Sequence, residues 1–289
     1  MIPKLKAPIQ IFSCPAHGIC LGDLQVAMRR LDPLLEPDEY LIRQKRIELL
    51  RGYAPDAMTP EEQVGLWRSF YQGESTPEQL YAYLRPVPLD VRSKINDLLP
   101  TRRRCVSRYG IESRDQWRIR RLPPAPFEQQ LALTVDGTLD FRRWPRTFRE
   151  LPSEFFDAPL RGVIDLARRN TLQAEPSATA LTITVHHTVV QVQPGATASN
   201  SPEGIHQDGM DYIVSALVVE RHNIRGGTSI VYMPDQQTAL LKCELQEGFG
   251  LFQPDAGSPL WHEVSPITVD VPGRPGFRSS IGLDIQVRH

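Results

Sequence analysis

The sequence is poor in cysteine, evenly balanced in charge and free of long apolar runs, and each shortage removes a class of protein. Four cysteines, Cys14, Cys20, Cys105 and Cys243, form no CxxC pair and are too few for a disulfide framework in 289 residues. A formal net charge of −1 gives no global attraction to nucleic acid or to an anionic membrane surface. No apolar run reaches the ~18 residues of a membrane span. The opening MIPKLKAPIQIFSCPAHGIC lacks the apolar core of a signal peptide, and Pro3, Pro8 and Pro15 interrupt it. There is no internal repeat and no low-complexity tract. A soluble chain, expected in the cytoplasm, is what these absences leave. Its composition, 40% hydrophobic and 23% charged, is ordinary for a globular protein. The length suits one large domain, or a domain with an extension.

What is present divides by period. Thr59-Pro60-Glu61-Glu62 and Thr76-Pro77-Glu78-Gln79 are capping boxes with proline at the first helical position. Behind the first, Val64, Trp67, Phe70 and Tyr71 recur at helical spacing, and Gly73 can end the helix. Behind the second, Leu80, Tyr83 and Leu84 form the apolar face. Residues 40–53 and 91–99 read as further helices, and residues 22–35 as a weaker one. After about residue 115 the period changes to two. Residues 180–192, 212–220, 228–233, 239–245, 250–253, 261–271 and 279–287 read as strands separated by turn signals such as Arg225-Gly226-Gly227 and Pro234-Asp235. Short strands at this spacing indicate an antiparallel sandwich or jelly roll. The expected fold class is therefore α+β, mainly β: a helical region, residues 1–115, packing on a β core, residues 116–289. The junction TRRRCVSRYGIESRDQWRIRR holds eight arginines between Arg102 and Arg121. With only Tyr109 and Trp117 interleaved, it reads as a solvated helix end and an edge strand, not a nucleic-acid surface.

The chemistry lies in the second half. In PEGIHQDGMDY, residues 202–212, His206 and Asp208 stand two apart, so on an extended chain they share a face and can converge on one ion. A third ligand is needed, and His186, His187, His222, His262 and His289 are the candidates. His262 stands out because it lies on a later strand, and a jelly roll brings strands distant in sequence side by side. Two histidines and a carboxylate on one face make the facial triad of non-haem iron oxygenases, which leaves open positions for a cosubstrate and dioxygen. Arg278, at the head of the last strand, and Ser280, two residues on, share a face as well. A guanidinium fork beside a hydroxyl suits the distal carboxylate of 2-oxoglutarate.

These segments carry a resemblance. PEGIHQDGMDY, then NIRGGTSIVY, LWHEVSPI and a terminal strand led by arginine, resembles the bacterial 2-oxoglutarate/Fe(II) dioxygenase family typified by L-isoleucine 4-hydroxylase. The resemblance covers roughly residues 115–289 and is most specific in PEGxHxDG. It implies a double-stranded β-helix in which His206, Asp208 and His262 are the iron ligands and Arg278 the cosubstrate arginine. It also implies Fe(II), 2-oxoglutarate and dioxygen as cofactors. The reaction implied is decarboxylation of the cosubstrate to succinate and CO2, coupled to hydroxylation of an unactivated carbon of a free amino acid. Desaturation and ring closure use the same site. The helical first hundred residues depart from compact members of the family, as does Arg278-Ser279 where the family has Arg-Asp.

Three residues are set toward the substrate. Glu203 can meet an ammonium group or cap a turn. Tyr212 falls on the His206–Asp208 face by parity, with Asp211 pointing away. His187 belongs to a histidine pair whose rings take opposite faces of a strand. The expected partner is a small molecule, an amino acid above all, with no nucleic acid and no membrane; the helical region can rim the pocket or make a homo-oligomer contact. Two other classes stay open at this point. One is an oxygenase acting on a protein or nucleic acid, and the other a non-catalytic jelly-roll binding protein.

Overall fold

The fold is given by a computed structural model, in which residues 5–113, 116–129 and 140–289 are described; Arg114 and Asp115 of the basic junction lie outside them. The helices are α1 (Leu21–Leu31), α2 (Glu39–Leu50), α3 (Pro60–Gln72), α4 (Pro77–Tyr81), α5 (Leu89–Asn96) and α6 (Ala158–Ala174). The strands begin with β1 (Gln10–Ser13), β2 (Glu36–Pro37), β3 (Arg102–Ser113), β4 (Trp117–Arg121) and β5 (Ala180–Val192). They continue with β6 (Tyr212–His222), β7 (Ile224–Gly226), β8 (Ser229–Tyr232) and β9 (Ala239–Cys243). The last four are β10 (Phe249–Pro254), β11 (Trp261–Val264), β12 (Ile267–Val269) and β13 (Gly276–Arg288). The chain forms two compact units, one of Pro37–Pro100 with Pro126–Thr147, the other of Met1–Glu36, Thr101–Ala125 and Phe148–His289.

The first unit is helical, and its helices start where capping chemistry says they should. The Thr59 hydroxyl accepts from the Glu62 N–H at 3.2 Å, and the Glu62 carboxylate accepts from the Thr59 N–H at 2.8 Å. Thr76 and Gln79 repeat the exchange. Gly73 closes α3 in the left-handed conformation. Trp67, Phe70 and Tyr71 pack with Ile47 and Leu50 of α2, Leu80 of α4 and Ile95 of α5. Val64 and Tyr83, expected on the apolar faces, are exposed instead.

The second unit is built on an eight-stranded sheet ordered β1-β10-β6-β13-β5-β3-β2, with β4 on β3. β13 pairs antiparallel with β5 along its whole length and with β6 on its other side. A three-stranded sheet, β11-β8-β9, and the pair β12-β7 complete the strands. Alternation divides the large sheet's two faces. Leu181, Ile183, Val185 and Val189 of β5 join Ile281, Leu283 and Ile285 of β13 in a core under α1 and α6. On the other face, Ala216 and Val218 of β6 and Leu251 of β10 meet Val231 of β8, from the small sheet. The space between the sheets is thus the barrel interior, and the mainly β, antiparallel class read from the sequence is the one observed.

Three local features differ from expectation. The basic junction is a solvated edge only in part: β4 is an edge strand with Arg118 and Arg120 exposed, whereas β3 lies between β5 and β2, with Arg102 and Arg104 buried. Its Cys105, Tyr109 and Ile111 alternate onto the helix-side core, and this apolar row outweighs the arginines. The arginines are held by partners: Arg102 donates to the Asn200 carbonyl, Arg103 pairs with Asp32, and Arg121 with Glu150. Residues 261–271 are two strands, not one, because Ser265-Pro266 breaks the ladder. Helix α6 lies in the part read as β, while β1, α1 and β3, all before residue 115, belong to the sheet unit. Among the described residues no helix is long and apolar enough to cross a membrane.

Candidate active site

His206 and His262 come together through backbone pairing. Each donates its N–H to the other's carbonyl at 2.9 Å, which extends the small sheet by one bridge beyond β11. Their rings lie 4.4 Å apart, centre to centre. Asp208 closes the group: its carboxylate is 3.5 Å from Nε2 of His206 and 3.2 Å from Nε2 of His262. One ligand atom from each residue lies within 4.8 Å of the others, and among the described residues this is the group able to hold a metal ion. The Nδ1 of His206 is 2.8 Å from the Gly204 carbonyl. An N–H there fixes the tautomer and leaves Nε2 as a lone-pair donor toward the shared centre.

The loop carrying Asp208 is anchored by a carboxylate absent from the sequence reading. Asp255, fully buried, accepts from the backbone N–H of Asp208 at 3.2 Å and of Met210 at 2.9 Å. Its other neighbour is Nδ1 of His262, at 3.8 Å. Gln207 donates to the carbonyls of Leu260 and Ser258, tying the same loop to the start of β11. Burial, with the nearby Asp208 charge, pushes the Asp255 carboxyl up to about 6. Burial opposes charge on Asp208 too, but His206 and His262 hold that carboxyl well below the ordinary carboxylate range. In His206 burial works against the proton and is outweighed by Asp208, with Glu203 adding to the pull, so its pKa is raised to about 9, and a metal ion binds by displacing the Nε2 proton. In the sequence Asp255-Ala256-Gly257 reads only as a turn.

Arg278 is 1% exposed and stands at the head of β13. Its position faces the barrel interior, opposite in register to the helix-side residues Phe277 and Ser279. All three guanidinium nitrogens are buried without a partner among the described residues. Burial, then the charge of Arg221, lowers its pKa to about 10. A buried charge with nothing to answer it asks for an anion. Ser280, also buried, follows on the same face.

Two expected substrate residues lie elsewhere. Tyr212 is turned to the helix side, where it stacks on Phe252 and its hydroxyl donates to Glu175 at 2.9 Å. Parity fails because Gly209, at φ 83°, breaks the extended run between Asp208 and Tyr212. Asp211 does point away, accepting from the Val287 N–H. His187 is also on the helix side, beneath α1, with Nδ1 3.2 Å from the Met28 sulfur. Burial and neighbouring His186 depress it to about 3. The inward ring is His186, 2.5 Å from Arg104 and 3.0 Å from Asp284 of β13. Glu203 is half-buried beside the trio.

An antiparallel barrel with two imidazoles and one carboxylate converging in its interior defines the scaffold of a non-haem iron oxygenase. The family model of the 2OG-Fe dioxygenases matches residues 87–284, and the chain belongs to that family. It is a 2-oxoglutarate-dependent non-haem iron dioxygenase, using Fe(II), 2-oxoglutarate and dioxygen. The donor set fits Fe(II): two neutral nitrogens and a carboxylate oxygen, with room for exchangeable positions. Two solved structures share the fold. IDO from Bacillus thuringiensis is 14% identical with a TM-score of 0.50, covering 65% of this chain and 76% of its own. A bsmA homolog (Mpe_A2762) from Methylobium petroleophilum PM1 is 18% identical, also with a TM-score of 0.50, over 64% and 71%. No curated protein matches the chain.

Proposed function

We propose that the enzyme hydroxylates an unactivated C–H bond of a free amino acid or amino-acid-derived small molecule. His206, Asp208 and His262 hold the iron, and Arg278 with Ser280 receives the distal carboxylate of 2-oxoglutarate. The dioxygenase domain is residues 116–289 completed by β1, α1 and β3. Iron with 2-oxoglutarate and dioxygen supplies the oxidant, and the cosubstrate leaves as succinate and CO2. The chain does the rest. Gly204 fixes the His206 tautomer, Asp255 holds the Asp208 loop, and the burial of Arg278 strengthens its pull on an anion.

One observation carries the substrate class. Arg104, His186 and Asp284 form a buried chain on the interior face, a cation and an anion joined by an imidazole. Thr182, Thr184 and Thr188 share the face of His186 on β5. A small zwitterion answers such a wall, its carboxylate toward Arg104 and its ammonium toward Asp284. A macromolecular substrate finds less support, because Arg102, Arg103, Arg120 and Arg121 are engaged by this chain's own carbonyls and carboxylates. The test is a screen for succinate release across amino acids and their derivatives, with mass spectrometry of the product. A gain of one oxygen marks hydroxylation, and a loss of two hydrogens marks desaturation or cyclisation. Stimulation by peptides or oligonucleotides but by no amino acid refutes the substrate class.

A further inference from the structure

Strand β6 is irregular where it runs beside Arg278. Glu220 pairs with Ser279 and Val218 with Ser280, so Val219 is an extra residue, a β-bulge. In an unbroken strand Arg221 would take the face opposite Val218, the helix side. The bulge reverses this. Glu220 turns outward into a bidentate pair with Arg29 of α1, at 3.0 and 3.1 Å, and Arg221 lies directly across from Arg278. The two arginines meet at Gly227, whose φ is +68°. A Cβ there would stand 3.3 Å from Cδ of Arg278 and 3.4 Å from Nη1 of Arg221.

Like charges directly opposite on neighbouring strands repel. Here the Arg221 side chain is only 9% exposed and Arg278 is more deeply buried, so water screens little of the repulsion. Arg221 is answered in part. Its Nη2 donates to the Gly226 carbonyl at 2.9 Å and to Glu244 at 2.7 Å, and Glu247 accepts from its backbone N–H. Its Nη1 is buried without a partner among the described residues, in the same condition as the three guanidinium nitrogens of Arg278. Two facing arginines with buried, unanswered donors, their stems meeting at one glycine, suit an anion better than a packed core.

We propose that Arg221 is a second cation of the cosubstrate site, its Nη1 sharing the distal carboxylate of 2-oxoglutarate with Arg278. This rests on the role given to Arg278 above. A carboxylate has about four acceptor positions on its two oxygens, enough for a guanidinium fork and one further N–H. An anion seated between the two arginines also removes their repulsion. The pair therefore selects 2-oxo acids with a second carboxylate over those without one.

The test uses the full chain loaded with Mn(II) in place of iron, so that no turnover occurs. It is titrated calorimetrically with 2-oxoglutarate and with 2-oxobutyrate, which lacks the distal carboxylate. Arg221→Gln is expected to raise the Kd for 2-oxoglutarate about 10- to 100-fold, and to leave that for 2-oxobutyrate unchanged. Arg221→Lys, which keeps the charge, recovers part of the loss. Without cosubstrate, Arg221→Gln melts no lower than the wild type. The inference is overturned if Arg221→Gln binds 2-oxoglutarate like the wild type. It is also overturned if both oxo acids weaken in equal proportion, the mark of a purely structural tie to Gly226 and Glu244. Arg278→Met separates the two roles. Unchanged binding in Arg278→Met removes the cosubstrate role of Arg278 itself, whereas lost binding there with intact binding in Arg221→Gln overturns only the role of Arg221.

Discussion

Replacing Arg278 by methionine should make the cosubstrate-free protein more stable and the cosubstrate weaker, two changes that rarely come together. The guanidinium is 1% exposed, and burial, then the charge of Arg221, pulls its pKa down to about 10. That fall corresponds to a penalty on the charged form on the order of 3 kcal/mol. Methionine keeps most of the stem and removes the charge, and replacing buried ionic groups with apolar ones of similar volume can stabilise by about 1–4 kcal/mol. For a chain of this size each 1 kcal/mol moves Tm by roughly 2–4 °C, so a rise of several degrees is expected. The cosubstrate loses two charge-assisted hydrogen bonds, each about 1.5–3 kcal/mol, which is roughly a hundredfold or more in Kd. Thermal melts of the metal-loaded protein, with and without 2-oxoglutarate, read both effects. A variant that melts lower without cosubstrate and is still shifted upward by 2-oxoglutarate as strongly as the wild type refutes the reasoning.

Other consequences are separable. Asp255→Asn replaces one acceptor of two backbone N–H groups with a donor, so metal affinity should fall about 10- to 100-fold, measured by competition with a chelator. If the substrate is the proposed amino acid, Asp284→Asn should raise its KM and leave the Kd of 2-oxoglutarate in place, in steady-state kinetics beside calorimetry. His187 is held neutral, its pKa depressed to about 3 by burial and then by His186. Its contribution to stability is therefore fully present above the unfolded value near 6.5 and is lost as pH falls through about 3. His187→Leu should flatten the decline of Tm between pH 6.5 and 4, and an unaltered slope counts against that burial.

Much of the fold was legible because local and global signals agree. Residues 180–192 are rich in β-branched side chains and form β5 over the same range, and both threonine capping boxes open helices. Elsewhere tertiary placement overrides the local signal. β3 reads as basic and solvated, yet its alternate residues fill a core that only the folded sheet supplies. Helix α6 carries its own start, Asp157 before Ala158-Pro159, but lies in a stretch otherwise of period two. The His206–Asp208–His262 convergence followed from spacing and fold class. The choice between His186 and His187 needed the register of β5, and Arg221 needed the bulge at Val219, neither of which leaves a mark in one sequence. Asp255 looked like any turn aspartate.

The most direct test of the iron and cosubstrate assignments is optical. Under anaerobic conditions, Fe(II) and 2-oxoglutarate added together should produce a weak visible charge-transfer band in the wild-type protein, absent in His206→Ala and requiring far more cosubstrate in Arg278→Met. A folded, metal-loaded wild-type protein with no band, or a His206→Ala variant that keeps it, would contradict the assignment of His206, Asp208 and His262 to the iron.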